Sequence, residues 1–327
     1  MTLARYFLRR LAATLPLVFL LPLAIMLLMH LVPGNYFDTL RMNPQISPET
    51  IRQYEELYHL DQPPLVQYGY WLRNFLHGDL GYSFAYKQPV TVILGSRMAN
   101  TMLLSGAALL VAWALALPLG LLAGLRPGTW LDRLLCGAAY GALSIPSFFL
   151  ALILVYAAAR FGVLPVGGVT SVDYESLSSG GKVLDLARHM VIPVAVLSLG
   201  TFAYLFRLMR AETLKVAGKE FVLYLRALRI PERQIVFRHI ARNAANPLVT
   251  LAGLELPQLV SGAALVEIFT GWPGLGQIML QAVRTQDLFL VLGNMAMLAL
   301  LLIAGNLLAD ILLVLADPRI RLGLRPT

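Results

Sequence analysis

Six long apolar runs constrain this sequence more than any other feature. The first four contain no Asp, Glu, Lys or Arg, and the last two carry only isolated acidic residues. A helix of about 20 apolar residues matches the hydrocarbon thickness of a bilayer. We therefore predict an all-α polytopic membrane protein with six transmembrane helices. The predicted spans are residues 11–32, 101–125, 134–159, 190–206, 247–270 and 288–316.

The amino terminus combines Arg5, Arg9 and Arg10 with the first apolar run, a pattern that also occurs in secretion signals. This run is too long for a signal peptide, and no small-residue cleavage site follows it, so we predict a retained span with its amino terminus inside. Most of the 26 Lys and Arg residues then fall on inner segments. The positive-inside rule therefore predicts that both termini are cytoplasmic.

The composition supports a membrane protein and excludes some other classes. The 327 residues are 58% hydrophobic and 13% charged, whereas about 25% is usual for a soluble chain. The net charge of +8 could indicate nucleic-acid binding, but the basic residues flank the apolar runs, so membrane orientation explains them and no nucleic-acid partner is expected. The single cysteine, Cys136, excludes a disulfide or cysteine metal site within the chain.

The longest polar region, 33–98, is predicted to form a small outer subdomain after the first transmembrane helix. Ser47 followed by proline predicts a capped helix start. A second helix is predicted over 66–77, where aromatic residues fit either the membrane interface or the interior of the subdomain. The other predicted outer loops are 160–188 and 271–287.

The densest positive charge lies within 207–247, on the predicted inner side between the fourth and fifth spans. Pro231 interrupts this stretch, so a first helix is predicted to end near Ile230 and a second to start at Pro231. The resulting elbow is either a docking element for a cytoplasmic partner or a solvated positive-inside loop. Helical spacing predicts an apolar side with Phe221, Leu225 and Leu228, and a basic side with Lys219, Arg226, Arg229 and Arg233.

The sequence contains no catalytic or nucleotide-binding motif. A P-loop requires GxxxxGK[ST], and the nearest string, at 180–183, lacks the leading glycine and the hydroxyl residue. The five histidines are scattered without a pair at i, i+4, so no metal site is predicted. We therefore expect a non-catalytic chain.

The order and spacing of several short motifs resemble the permease subunits of bacterial ABC importers of the dipeptide, oligopeptide and nickel class. The resemblance extends over essentially the whole chain. The motifs are HLDQPPLVQYGYWL (59–72), GDLGYSF (78–84), SIPSFF (144–149), LPVGG (164–168), RHMVIPVAVLSLGTFAYLFRLMR (188–210), VEIFTGWPGLG (266–276) and DPRIR (317–321).

The resemblance implies that this chain forms half of a translocation pathway for di- or oligopeptides in the bacterial cytoplasmic (inner) membrane. It implies three kinds of protein partner: a second homologous permease, two cytoplasmic P-loop ATPases and an extracytoplasmic solute-binding protein. The chain would bind no cofactor, because ATP and Mg would lie on the ATPases. The implied divisions are a first transmembrane helix (1–32), the outer subdomain (33–98) and a five-helix core (99–327) that contains a coupling region (212–247).

In this family the coupling region docks on the ATPase through its short helices. Ala227 and Glu232 fit the family pattern, whereas Leu225 replaces a small residue and Arg229 replaces a glycine. Because glycine normally makes the tight turn, the turn at Arg229–Pro231 is predicted to form differently here. The residues assigned to coupling by the resemblance are Phe221, Leu225, Arg226, Ala227, Leu228, Arg229, Pro231 and Glu232.

Three acidic residues lie within predicted spans. Glu267 and Asp310 are near span ends and are interpreted as structural anchors. Glu255 is deeper, and an ionisable group in lipid usually faces a cavity or a partner. It is therefore predicted either to line the translocation path or to face the partner permease.

The GWPGLG loop contains Trp272, Pro273 and Gly274. Trp272 is predicted to anchor at the membrane interface, and the proline and glycines allow a tight re-entry of the chain. The loop either closes the outer mouth of the pathway or is a constitutive turn.

Three other functions are alternatives to a peptide importer. A permease of the same family could carry nickel chelates or another small solute. A secondary carrier would need no ATPase, but no clear repeat is visible in this sequence. A membrane enzyme would need a nucleophile–base pair or a metal triad, and neither is found.

Overall fold

The computed structural model describes residues 3–34, 36–41 and 47–316, with side chains described except at 3–11, 13, 39–40, 249–261, 309–310 and 312–316. This part of the chain is mostly helical. Its helices are α1 (Leu3–Leu31), α2 (Tyr36–Arg41), α3 (Pro48–Leu57), α4 (Pro64–Leu76), α5 (Val90–Leu125), α6 (Trp130–Ser144), α7 (Ser147–Phe161), α8 (Ser179–Ala217), α9 (Glu220–Ala227), α10 (Glu232–Gln234), α11 (Arg242–Thr270), α12 (Leu275–Arg284) and α13 (Leu288–Ala316). A 3-10 turn (Tyr174–Ser176), a π-helix (Ile235–Ala241) and an antiparallel hairpin, β1 (Tyr82–Ser83) with β2 (Gln88–Pro89), complete the described elements.

Four described helices are long and apolar enough to cross a bilayer, in α1, α5, α8 and α13. The bent pair α6 and α7 is a fifth candidate, with an angle of 102° between the two helices. The predicted all-α membrane class is confirmed. Helix α11 has 29 residues and coincides with the fifth predicted span, but part of it lies outside the described side chains, so six spans remain a prediction.

Three predicted spans differ most from the helices of the structure. The second begins at Val90, the third is interrupted between Ser144 and Ser147, and the fourth is the middle of a 39-residue helix. At about 1.5 Å per residue, α8 is roughly 58 Å long, nearly twice the hydrocarbon thickness. Apolar runs locate the lipid-facing part of a helix, and the polar ends of these helices extend beyond it.

The predicted outer helices are confirmed in part. Ser47 caps α3, since its Oγ accepts a hydrogen bond from the Thr50 N–H at 3.2 Å. The second predicted helix is α4, although the first already ends at Leu57, before the two prolines. The predicted loop over 271–287 contains the helix α12, whose apolar residues Leu275 and Ile278 are buried.

The chain packs as two compact units, and the first comprises Met1–Thr101 and Pro273–Ala304. Its core includes the fully buried Met26, Trp71 and Leu290. The buried Asp287 carboxylate precedes α13 and accepts hydrogen bonds from the Ser83 hydroxyl (2.6 Å) and the Ala85 N–H (3.0 Å). Burial raises the pKa of Asp287. These bonds fasten the hairpin to the start of α13.

The second unit comprises Met102–Trp272 and Gly305–Thr327. Helix α8 is at its centre and packs against α6, α7 and α11. Two glycines of α5 allow a close approach to α8. A Cβ at Gly120 would lie 2.7 Å from the Met209 Cβ, and one at Gly124 would lie 2.6 Å from the Thr213 Cβ. Larger residues at these two positions would force the helices apart.

Candidate functional site

The basic elbow follows directly from α8. This helix ends at Ala217, Gly218 and Lys219 form the connection, and the eight-residue α9 begins at Glu220. After the turn at Leu228–Pro231, α10 runs into the π-helix and then into α11. The predicted helix–proline–helix elbow is confirmed, but α9 ends at Ala227, three residues before Ile230, and the second helix starts at Glu232 with Pro231 as its cap.

The turn between the two short helices is made by Arg229 in a left-handed conformation, with φ of +54°. The Arg229 N–H donates to the Arg226 carbonyl (2.9 Å), and the Ile230 N–H donates to the Leu225 carbonyl (3.3 Å). This pair of bonds is the Schellman motif, in which glycine usually occupies the left-handed position. The prediction of a different turn is therefore corrected: Arg229 adopts the conformation that a glycine would have.

Helix α9 shares this ending with two other described helices. His59 follows α3 with φ of +57°, and Gln286 follows α12 with φ of +52°. In both cases the same two backbone bonds close the helix. Because left-handed backbone costs a residue with a Cβ about 1–2 kcal/mol, all three positions carry local strain.

We predict that Arg229→Gly stabilises the elbow by about 1 kcal/mol, because glycine adopts a positive φ without the Cβ penalty. Chemical unfolding of the purified chain in detergent would measure this gain. The matched change Arg233→Gly, within a helix with φ in the normal range, is expected to destabilise by a similar amount. A loss of stability in Arg229→Gly would contradict the strain assigned to this turn.

An ion pair connects the two arms of the elbow. The Arg226 guanidinium donates to both carboxylate oxygens of Glu232, at 2.7 and 3.2 Å. The hydrogen bonds to Arg226 lower the pKa of Glu232, and the same contact raises the pKa of Arg226. Both side chains are about half exposed, so solvent screens the pair.

The sign of the pKa shift determines how this ion pair responds to pH. A lowered Glu232 pKa means that the pair stabilises the fold above the unfolded-state pKa, about 4.3, and that this contribution is lost as the pH falls through the folded-state value. After allowance for screening, we expect at most about 1 kcal/mol. A double-mutant cycle of Arg226→Ala and Glu232→Ala should give this coupling at pH 7 and a smaller coupling at pH 3. An undiminished coupling at pH 3 would contradict it.

The elbow has a buried side and an exposed side, and these do not coincide with the apolar and basic sides that the helical pattern predicts. Val222, Ile235 and Ile240 are fully buried in the apolar cluster of the second unit. Leu225 is only partly buried there, while Phe221 and Leu228 are 37% and 55% exposed. The difference arises because a single residue of α9, Val222, enters the core, instead of a continuous stripe of apolar side chains.

The exposed side of the elbow combines apolar and basic groups. Its large apolar side chains are more than half exposed, and between them lie four exposed arginines. Contiguous exposed apolar side chains mark an interaction surface. We call this surface the elbow face; it consists of Leu223, Tyr224, Leu228 and Phe237 with Arg226, Arg229, Arg233 and Arg238. Ala227, Pro231 and Glu232 are also exposed at the turn.

An ion pair with a buried carboxylate holds α6 against α8, the helix that leads into the elbow. The Arg210 Nε and Nη2 atoms donate to the two Asp132 oxygens at 2.6 and 2.8 Å. The Gly128 N–H also donates to Asp132 at 2.8 Å, and Thr129 caps the same helix end. The partners are 78 residues apart, so sequence reasoning missed them. The signal available in the sequence was one acidic residue, Asp132, in a predicted inner loop that also carries Arg126 and Arg133.

The residues assigned to a path or gate have different positions. Trp272 is fully buried in an apolar cluster of the second unit, rather than at an interface. Within that unit the preceding turn packs on the LPVGG loop, because the Gly168 N–H donates to the Gly271 carbonyl at 3.2 Å. Gly274 caps α12 in the first unit, where the Pro273 carbonyl accepts from Asn100 at 2.9 Å. The Glu255 and Asp310 side chains lie outside the described residues, while Glu267 is fully buried.

No group of three or more His, Cys, Asp or Glu residues that could hold a metal ion occurs among the described side chains. The string at 180–183 lies in the first turn of α8, where Lys182 pairs with Glu175 at 2.9 Å. It is therefore an ordinary helix start. The chemistry that this arrangement supports is recognition of another protein through the elbow face.

Comparison with known proteins identifies the family. Residues 116–322 match the model for the binding-protein-dependent transport system inner membrane component. The oligopeptide transport system permease protein AppB of Bacillus subtilis is 33% identical, over 97% of this chain and 99% of its own. The dipeptide transport system permease protein DppB of Escherichia coli is 30% identical, over 97% and 98%.

A solved structure, an inward-facing form of the MetNI methionine ABC transporter, matches 68% of this chain and 96% of its own at 20% identity and a TM-score of 0.49. The family match covers more than half of the chain, and the two sequence relatives align over nearly all of it. This chain therefore belongs to the family of binding-protein-dependent transport system inner membrane components.

Proposed function

We propose that this chain is the permease subunit of an ATP-driven ABC importer for di- or oligopeptides. The elbow is the observation that carries the proposal. Its inner side is fixed in the core by Val222, Ile235 and Ile240, while its outer side exposes apolar and basic groups. A surface that is rigidly attached on one side and unpartnered on the other suits the transmission of movement between chains. The family and the names of the relatives support the peptide class.

The proposed assembly contains a second homologous permease, two cytoplasmic P-loop ATPases and an extracytoplasmic solute-binding protein. The chain has six spans, with both termini on the cytoplasmic side of the bacterial inner membrane. ATP and Mg bind the ATPases, which carry out hydrolysis. Their closure moves the elbow and shifts the permease pair between inward-open and outward-open states.

The elbow face would sit in a groove of the ATPase. Tyr224 and Leu228 are 64% and 55% exposed and lie four residues apart, so they project from the same side of α9 and its turn. Exposed aromatic and arginine side chains are the types that dominate binding energy at such surfaces. The Schellman turn at Arg229 fixes the angle at which the two arms meet the groove.

Co-purification would test this docking. The chain is co-expressed with its ATPase subunits, captured, and the retained ATPase is measured. We expect the double substitution Tyr224→Ala and Leu228→Ala to reduce retained ATPase at least tenfold, since about 1.4 kcal/mol of lost contact suffices. Tyr156→Ala, on a tyrosine of α7 that is 71% exposed, is the control and should retain normal amounts. Unchanged retention in the double variant would refute the elbow as docking element.

Uptake into proteoliposomes would test the transport class. The complete transporter with its binding protein should import a labelled dipeptide in proportion to ATP hydrolysis and without sensitivity to an uncoupler. Uptake of a nickel chelate but not of peptide would select the alternative substrate in the same family. Uptake that an uncoupler abolishes and ATP depletion spares would instead indicate a secondary carrier.

A further inference from the structure

Arg207 differs from every other charged group that the structure describes near the apolar part of α8. It directly follows the predicted apolar run, 190–206, and its Nε atom is buried without a hydrogen-bond partner. No carboxylate lies within ion-pair distance of it among the described side chains. Arg210, one turn further, is fully engaged by Asp132. The two arginines therefore have different surroundings: Arg210 joins α6 to α8 through Asp132, whereas no described carboxylate pairs with Arg207.

An aromatic ring holds Arg207 in place. The guanidinium carbon lies 5.4 Å from the ring centroid of Tyr140 on α6, which is cation–π geometry. The ring stabilises the cation without neutralising it, so the charge remains available to an anion. Tyr140 is itself 58% exposed, so this pair is accessible from outside the unit.

A cavity of about 400 Å³ lies on the same side of these helices, at the break between α6 and α7. Its lining includes Gly200 of α8, Gly262 of α11 and Leu143 of α6. A Cβ added at either glycine would have no neighbour within 4 Å among the described atoms. The cavity volume is within the range of small-molecule sites, about 300–1,000 Å³.

The spacing along the helices places the cavity and the Arg207 guanidinium on the same face of α8. Gly200 and Arg207 are seven residues apart on α8, which is two turns on the same face and about 10 Å. Tyr204, between them on this face, is 41% exposed. On α6, Tyr140 precedes the cavity residue Leu143 by one turn. On both helices the cavity therefore lies within two turns of the residues that form the cation–π pair.

From this arrangement we infer that Arg207, held over Tyr140, binds the carboxylate of the transported substrate at the inner end of the translocation path, while the cavity at Gly200 and Gly262 accommodates its body. The inference rests on the proposed peptide function. A small peptide carries a carboxylate at neutral pH, and a guanidinium binds that group through two parallel hydrogen bonds. Ionisable groups within membrane spans usually face the bundle interior or a water-filled cavity, and Arg207 directly follows such a predicted span.

Reconstituted complete transporter provides the test, with labelled alanyl-alanine as the probe and the number of peptides imported per ATP hydrolysed as the readout. We expect Arg207→Gln to lower this ratio about tenfold, and Arg207→Lys, which keeps the charge, to recover at least a third of it. Tyr140→Ala should lower the ratio as well, whereas Tyr140→Phe retains the ring and should stay within twofold. Arg133→Gln, at an exposed arginine of α6, is the matched control and should equal wild type.

The outcomes separate the inference from a purely structural role. A residue that only orients or stabilises the helix would lower uptake and ATP hydrolysis in parallel, so an unchanged ratio in Arg207→Gln would overturn the inference. A ratio restored equally by glutamine and lysine would overturn the requirement for charge. Failure of the wild-type transporter to import either alanyl-alanine or a longer labelled peptide would refute the proposed peptide function instead, and the wild type is therefore measured with both probes first.

Discussion

Replacing Trp272 with alanine is expected to cost about 3–5 kcal/mol of unfolding free energy, the usual loss for a buried aromatic residue. Trp272 is fully buried in the cluster that includes Leu104, Val196 and Val266. Truncation would leave a cavity that the surrounding helices cannot fill by small movements. Chemical unfolding of the purified chain in detergent would measure the loss.

Trp130 offers a matched control for this substitution, because it is 76% exposed at the start of α6. Trp130→Ala should change the unfolding free energy by less than about 0.5 kcal/mol. The comparison also distinguishes a packing role of Trp272 from a gating role. If Trp272→Ala altered uptake while its stability equalled that of wild type, Trp272 would act as a movable gate, and the packing role assigned to it would be wrong.

Breaking the buried pair between α6 and α8 should have an effect of similar size. Arg210→Leu would leave the Asp132 carboxylate, whose side chain is 4% exposed, without its cation. Removing one partner of a buried ion pair typically costs about 3–5 kcal/mol. The Gly128 N–H would still donate to Asp132, but one backbone bond cannot replace two charged ones. Chemical unfolding in detergent is again the measurement.

Two further variants make this prediction specific. Arg133→Leu removes an arginine next to Asp132 that is exposed, and it should change stability by less than about 0.5 kcal/mol. The double substitution Asp132→Leu and Arg210→Leu should recover much of the loss, because no buried charge is then left unpaired. A double variant as unstable as Arg210→Leu alone would show that lost packing, rather than the uncompensated carboxylate, causes the effect.

The elbow shows which features the local sequence predicts and which features it does not. Pro231 predicts the break between two helices because its ring restricts the residue before it, whatever the rest of the fold is. The direction in which α9 turns its side chains is not a local property. Phe221, Leu225 and Leu228 satisfy a helical period, yet Val222 is the residue that enters the core. The neighbouring π-helix and α8 decide that choice.

The left-handed turn at Arg229 illustrates a second limit. Sequence patterns predict this conformation where glycine occurs, because glycine adopts it without cost. An arginine can also be held there when the helix end, the Ile230–Leu225 bond and the arms on both sides favour the same geometry. The backbone strain is confined to Arg229, whereas the contacts that offset it are distributed over the elbow.

By itself, the sequence determined the membrane class, the approximate positions of the apolar helices, the elbow and the family resemblance. The first three properties depend on short windows of residues, since transfer into lipid, helix period and proline geometry are local in the chain. The family resemblance depends on the order and spacing of short motifs along the whole chain. Only the tertiary structure decided the helix ends, the bend between α6 and α7, the burial of Trp272 and the pairing of Asp132 with Arg210. It also showed that Arg207 and Arg210, one turn apart, have different partners. Such contacts join residues that are distant in sequence, and the packing of whole helices brings them together.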